Sequence, residues 1–147
     1  MHPLFRNLRA KFQFSVPVTM YKMVGEDIGV RLLVKNFYEL MENDPKAKEC
    51  LHVHELINNR IPEEVKSKLY MFLSGWFGGP NLFVEAYGHP RMAARHLKVE
   101  ISNIERDQWI HCMTIALKMH NPKLRRSHHK LMLNSFNALA MRIQNKH

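Results

Sequence analysis

The sequence predicts an all-α fold, and three observations carry that prediction. Apolar residues recur at three- and four-residue spacing through four long segments. Pro, Gly, Asn and Asp punctuate the gaps between them. No segment sustains the period-two alternation of a half-buried strand. The 147 residues suit one domain, and at that length a compact fold buries roughly 70% of its unfolded surface, so it needs no staples.

Residues 1–18 read as a basic N-terminal extension, and residues 19–147 as the domain. Within the extension Leu4, Leu8 and Phe12 recur every four residues, which predicts a short basic amphipathic helix ended by Pro17. The stretch also loosely resembles a targeting peptide, a reading ranked below a simple extension. From Glu26 to Asn43, Val30, Leu33, Phe37 and Leu40 form one stripe, and Val34, Tyr38 and Met41 the adjoining one. Asp44-Pro45 ends that run. Residues 47–52 allow a single turn, and residues 54–62 read as a polar connection.

Pro62 followed by Glu63 and Glu64 starts the next helix, because Pro fits the first turn and acids favour the positive end of the helix dipole. Val65, Leu69, Phe72 and Trp76 repeat along it until Gly78-Gly79-Pro80 stops it. Residues 81–87 and 91–97, divided by Gly88 and Pro90, are each too short for more than two turns. Ser102 with Glu105 is a capping box. It opens a helix on which Trp109, Met113, Ala116 and His120 are expected to share a face. A last helix is expected from about Leu124, with Met132, Phe136, Leu139 and Ile143 as its stripe. The irregular region 78–101 contains His96, and a long irregular connection inside a small helical domain is often functional.

Composition narrows the function classes. Cys50 and Cys112 are the two cysteines and form no C-x-x-C pair, which excludes a disulfide framework and fits a reducing, cytoplasmic setting. No stretch approaches the ~20 apolar residues of a membrane span. The net charge of +9 is uneven: residues 1–25 and 108–147 contain no acid, and all 13 acids lie between. Basic ends of this kind meet anionic partners or serve as solvated faces. No nucleic-acid reading motif accompanies them, so specific nucleic-acid binding is not expected.

The ten histidines do not group as zinc ligands. "HVHEL" lacks the spacing of a zincin helix, and no cluster supplies three or four ligands. One site chemistry escapes that objection. Haem brings four nitrogens of its own and needs a single axial ligand, together with a large apolar pocket. The ten Met and eight Phe suit an irregular pocket or, equally, a Met-rich core.

The motifs are more specific than the composition. F-L-x-x-W-x-G-G-P, G-H-P-x-x-x-x-R-H and E-R-D-x-W-x-x-C-M occur together and in order over residues 72–113, preceded by "YKMVGED" and "NFYELMENDP". This pattern strongly resembles the group II truncated haemoglobins, over most of the chain except residues 1–18 and the extreme C-terminus. The resemblance implies a two-on-two helical sandwich holding haem b, with His96 as proximal ligand. It implies Arg95 and Lys68 near the haem propionates. It implies Tyr38 and Trp109 as distal hydrogen-bond donors, with His54 at the polar corner position. Phe37, Val65, Leu69, Phe72 and Met113 are expected to line the cavity. Two departures stand out: Gly25-Glu26 replaces the family's usual Gly-Gly, and the stretch from His54 to Pro62 looks longer than usual.

The resemblance further implies O2 binding, with CO, NO or small anions as other ligands. Two donors favour retention over delivery, hence redox chemistry or sensing rather than bulk transport. NO dioxygenase- or peroxidase-like activity would need an external reductant, supplied by an unidentified reductase. In the ferric state Tyr38 is expected ahead of His54 as a sixth ligand. The alternative of another class is a cofactor-free basic helical module for nucleic acid or an anionic membrane surface.

Overall fold

The computed structural model describes residues 18–147. The basic helix expected around Leu4, Leu8 and Phe12 lies outside the described residues. The elements are α1 (Met20–Val24), α2 (Glu26–Asn43), a 3-10 turn (Pro45–Ala47), α3 (Lys48–His52), α4 (Glu63–Trp76), α5 (Leu82–Tyr87), α6 (Met92–Arg95), α7 (Asn103–Lys118) and α8 (Arg126–Ile143). There is no strand among the described residues, as predicted.

Four long helices form two layers. α2 packs on α4, α8 packs on α7, and the two pairs meet through α2 and α7. This is the two-on-two sandwich that the motifs implied. Each long helix contributes one aromatic ring to the junction. Phe37 of α2 lies 5.1 Å from Trp109 of α7, Trp109 lies 5.6 Å from Phe136 of α8, and Phe136 lies 5.1 Å from Trp76 of α4. Such tilted pairs each contribute about 0.5–1.5 kcal/mol beyond area burial. Both stripes predicted for α2 are in the core, with Val30, Leu33 and Phe37 fully enclosed and Leu40 half-buried.

Local chemistry sets the helix ends. The capping box forms: Ser102 accepts from the Ile104 N–H at 3.2 Å, and Glu105 accepts from the Ser102 N–H at 3.4 Å. α4 ends as the Gly79 N–H bonds the Ser74 carbonyl at 2.8 Å, with Gly78 at φ +94°. A Cβ on Gly79 would come within 2.4 Å of the Tyr21 ring, so this turn is also where α1 seats. At the other crossing, a Cβ on Gly29 would lie 1.7 Å from the Val24 carbonyl oxygen.

Three local expectations need correction. The short helix α1 was not foreseen; at five residues it is too brief for a periodic signal. His120 is not on α7, which ends at Lys118. Its ring crosses to α1, where Nε2 lies 2.6 Å from the Val24 carbonyl, satisfying a helix-end acceptor. The connection at 54–62 is more than polar. Ile57 and Arg60 exchange backbone bonds of 2.9 and 3.0 Å around Asn58-Asn59, both at positive φ, the geometry of a tight hairpin turn. Beyond that turn Ile61 is buried, and its N–H reaches Glu42 at 3.3 Å.

No helix among the described residues is long and apolar enough to cross a membrane. Nor do the described His, Cys, Asp and Glu side chains form a group of three that could hold a metal ion. Cys50 and Cys112 are free and buried.

Candidate functional site

His96 caps the single turn of α6, where its N–H bonds the Met92 carbonyl at 3.2 Å. The ring follows the same carbonyl, with Nδ1 at 2.6 Å. A carbonyl can only accept, so Nδ1 carries the proton and Nε2 keeps its lone pair in the neutral ring. That is the tautomer in which an imidazole ligates a metal through Nε2 while its other nitrogen is anchored.

The rim beside His96 is cationic. The Arg95 guanidinium donates to the carbonyls of Pro90 at 2.5 Å and of Tyr87 and His89 at 3.3 Å each, and lies 5.0 Å over the Phe83 ring. Lys68 on α4 places Nζ 5.2 Å over the Tyr87 ring and 3.3 Å from Glu64. Both cations therefore converge on Tyr87, which is 44% exposed. Loop carbonyls and an exposed carboxylate leave each cation donors to spare.

A second set of side chains projects from the long helices. Tyr38 faces inward from the middle of α2 and is 5% exposed. Burial pushes its hydroxyl well above the usual phenol range, so it stays protonated. No hydrogen bond from a described residue reaches that hydroxyl or the Trp109 indole N–H. A buried Tyr or Trp normally finds a partner for its polar end. Phe37 connects the two, 5.0 Å from Tyr38 and 5.1 Å from Trp109.

His54 stands edge-on to Tyr38, ring centroids 6.4 Å apart. Its Nδ1 lies 3.0 Å from the Cys50 carbonyl and 3.3 Å from that of Leu51, so its Nε2 is likewise the unprotonated atom. Burial lowers its pKa below the usual 6.5, and the nearby His96 lowers it further. The corner that carries it is tied to α7 by Gln108, which accepts from the Cys50 N–H at 2.8 Å and donates to Glu49 at 2.6 Å.

The structure thus brings Tyr38, Phe37, His54 and Trp109 into one cluster, and Arg95 and Lys68 to one rim. Val65 and Leu69 are half-buried and Phe72 is buried on a single face of α4. Met113, like Phe37, is fully enclosed among core residues. Two contributors escaped sequence reasoning. Met92 acts through its carbonyl, which leaves no side-chain signal beyond lying four residues before His96. Tyr87 acts as a shared platform for two cations, which no motif marks.

The comparisons with known proteins agree with this fold. Residues 19–145 match the model of the family described as bacterial-like globin. The group 2 truncated hemoglobin YjbI of Bacillus subtilis (strain 168) is 34% identical over 104 residues, which is 71% of this chain and 70% of that one. Among solved structures, the cold-adapted truncated hemoglobin of the Antarctic marine bacterium Pseudoalteromonas haloplanktis TAC125 superposes with a TM-score of 0.81 at 32% identity, over 88% of this chain and 100% of that one. The group II 2-on-2 hemoglobin of the plant pathogen Agrobacterium tumefaciens gives the same score and identity over 90% and 98%.

Proposed function

This chain belongs to the bacterial-like globins and, within them, to the group II truncated haemoglobins, and on that premise we propose that it binds haem b through His96 and holds O2 for redox chemistry. Family membership carries haem-based ligand binding itself. The assignment to particular residues rests above all on His96, whose ring is anchored through Nδ1 with Nε2 free. The donor set fits the group: one imidazole oriented through Nδ1, two cations at one rim for two carboxylates, and apolar faces on α2, α4 and α7.

Haem, when bound, supplies an iron with an open position at which a diatomic ligand acquires partial negative charge. The protein's part follows from its donors. The Met92 carbonyl accepts a hydrogen bond from the His96 Nδ1–H, which raises the donor strength of Nε2. The Tyr38 hydroxyl and the Trp109 N–H, without protein partners among the described residues, would be free to donate to negative charge on a bound ligand. A hydrogen bond to a charged group contributes about 1.5–3 kcal/mol. Acting on dissociation, each donor slows ligand release about ten- to a hundredfold.

Two donors therefore favour retention over delivery. Oxidation of NO or reduction of peroxide suits such a site, with electrons from an external reductase, in the cytoplasm. Burial weighs against the phenolate form of Tyr38 and so against the expected order of ferric sixth ligands. A phenol held un-ionised is a poor ligand, so His54, with its free Nε2, comes ahead of Tyr38. A low-spin ferric signal removed by His54→Ala and kept in Tyr38→Phe supports that order; the converse restores Tyr38.

An absorption spectrum tests the whole reading. The purified protein should show a Soret band, and His96→Ala should lose stable haem. Wild-type haem content with an unchanged ferrous spectrum in that variant would remove His96 as the ligand. Failure of the wild-type chain to take up haem would favour the basic binding module.

A further inference from the structure

Beyond α6 the chain carrying His96 has no regular structure until Ser102. Its carbonyls consequently lack the partners a continued helix would supply. The turn bond from the Val99 N–H to the His96 carbonyl, 3.2 Å, is a single replacement.

The remaining partners come from the far end of the chain. α8 stops at Ile143, and Gln144 turns extended at ψ 128°. Gln144 is held there by Arg106, whose Nη1 donates to Oε1 at 2.7 Å. This delivers Asn145 to the loop. Its Nδ2 donates to the His96 carbonyl at 3.1 Å and to the Val99 carbonyl at 2.8 Å, while its Oδ1 accepts from the Ile101 N–H at 2.8 Å. Two carbonyls and one N–H permit a single orientation of the amide. The Asn145 and Lys146 N–H groups both bond the Ile101 carbonyl, at 2.9 and 3.1 Å, and Lys146 Nζ lies 2.9 Å from Glu100.

We propose that Asn145 is a positioning residue for His96. Its amide substitutes for the missing helical partners of the proximal loop, so that the C-terminal tail latches the imidazole at a fixed height and tilt. The proposal rests on His96 as haem ligand. Between His96 and the buried Ile101 the chain is otherwise poorly anchored, since Leu97 is 69% exposed and Lys98 and Glu100 are exposed as well. Met92 holds the ring from one side of the backbone, and Asn145 holds the backbone from the other. With the latch open, the ring keeps its tautomer but loses its fixed position.

Three variants separate positioning from mere stability. Asn145→Ala removes all three side-chain bonds. Asn145→Asp keeps the acceptor for Ile101 and loses both donors. Ser102→Ala weakens the neighbouring start of α7 without touching His96. Amide exchange at Ile101 should rise about tenfold in Asn145→Ala, the local opening expected when such bonds are lost. In the haem-loaded protein both Asn145 variants should shift the iron–histidine stretching band and lose haem to an acceptor apoprotein several-fold faster. Ser102→Ala, at a comparable drop in Tm, should leave the band in place. An unmoved band and a wild-type rate of haem loss in both Asn145 variants would overturn the proposal, even with faster exchange, because the tail would then be a tether alone. A band moved equally by Ser102→Ala would overturn it too. In the haem-free chain, the 15N resonances of the His96 ring should show one environment in wild type and broadening from several in Asn145→Ala. Equal broadening in both would sink the latch independently of haem, whereas a single wild-type environment beside an absent Soret band would sink the haem reading instead.

Discussion

The two faces of the site are built by different means. On the face of Tyr38, Phe37 and Trp109, every side chain projects from a long helix and is locked by ring contacts. On the face of His96, a one-turn helix and an open loop carry the imidazole proposed as the haem ligand. Side chains reaching backbone carbonyls hold that loop: Arg95 on Tyr87, His89 and Pro90, and Asn145 on His96 and Val99. The difference teaches that the first face is part of the folding core, while the second is an attachment adjusted by few bonds. Damage to the first should cost stability, and damage to the second should cost ligation.

The largest expected effect breaks that symmetry directly. Phe37→Ala removes a fully enclosed ring and should destabilise the haem-free chain by about 3–5 kcal/mol. His96→Ala, in the same urea titration, should cost under about 1 kcal/mol while abolishing haem retention. Equal losses in both would show that the two faces are one cooperative unit.

Next come the donors, where core and chemistry overlap. Tyr38→Phe and Trp109→Phe should each speed O2 dissociation about ten- to a hundredfold in stopped-flow measurements. Unchanged rates in both would remove the donor assignment.

A smaller effect appears with pH. Burial lowers the folded pKa of His54 below 6.5, so the unfolded chain takes up that proton first as pH falls. The His54 contribution is therefore whole above pH 6.5 and lost as pH drops from there through the folded value. Tm measured from pH 7.5 to 5 should fall less steeply in His54→Gln than in wild type; parallel curves would assign the acid sensitivity elsewhere.

The smallest effect concerns the start of α2. Glu26 sits at φ 58°, a left-handed conformation that an L side chain adopts at a cost, next to Gly25 at φ 97°. Glu26→Gly should raise stability by about 0.5–1 kcal/mol, seen as a modest rise in Tm. A drop would mean that the acid's interaction with the helix dipole outweighs the strain.

Legibility in the sequence divides along the same line. The long helices were readable because a 3.6-residue period repeats its message over four or five turns, and because Pro62, Ser102 with Glu105, and Gly78-Gly79 state the ends chemically. The motifs around His96, Tyr38 and Trp109 were readable as a resemblance, since they survive as ordered strings. α1 was too short to announce itself, and Ile61 looked like part of a polar link because its burial depends on Glu42 and the Asn58-Asn59 turn.

The sequence by itself determined the helical class and the positions of the four long helices, which are encoded in local spacing; it marked His96 as the proximal candidate only through its resemblance to the group II truncated haemoglobins. Only the tertiary structure decided that His120 serves α1, that Lys68 and Arg95 meet at Tyr87, that Met113 lies in the closed core, and that Asn145 reaches His96 across 49 residues of sequence. The physical reason is that a lone amide or imidazole binds whichever unpaired backbone group the fold brings near it. No periodicity in the chain records which group that will be.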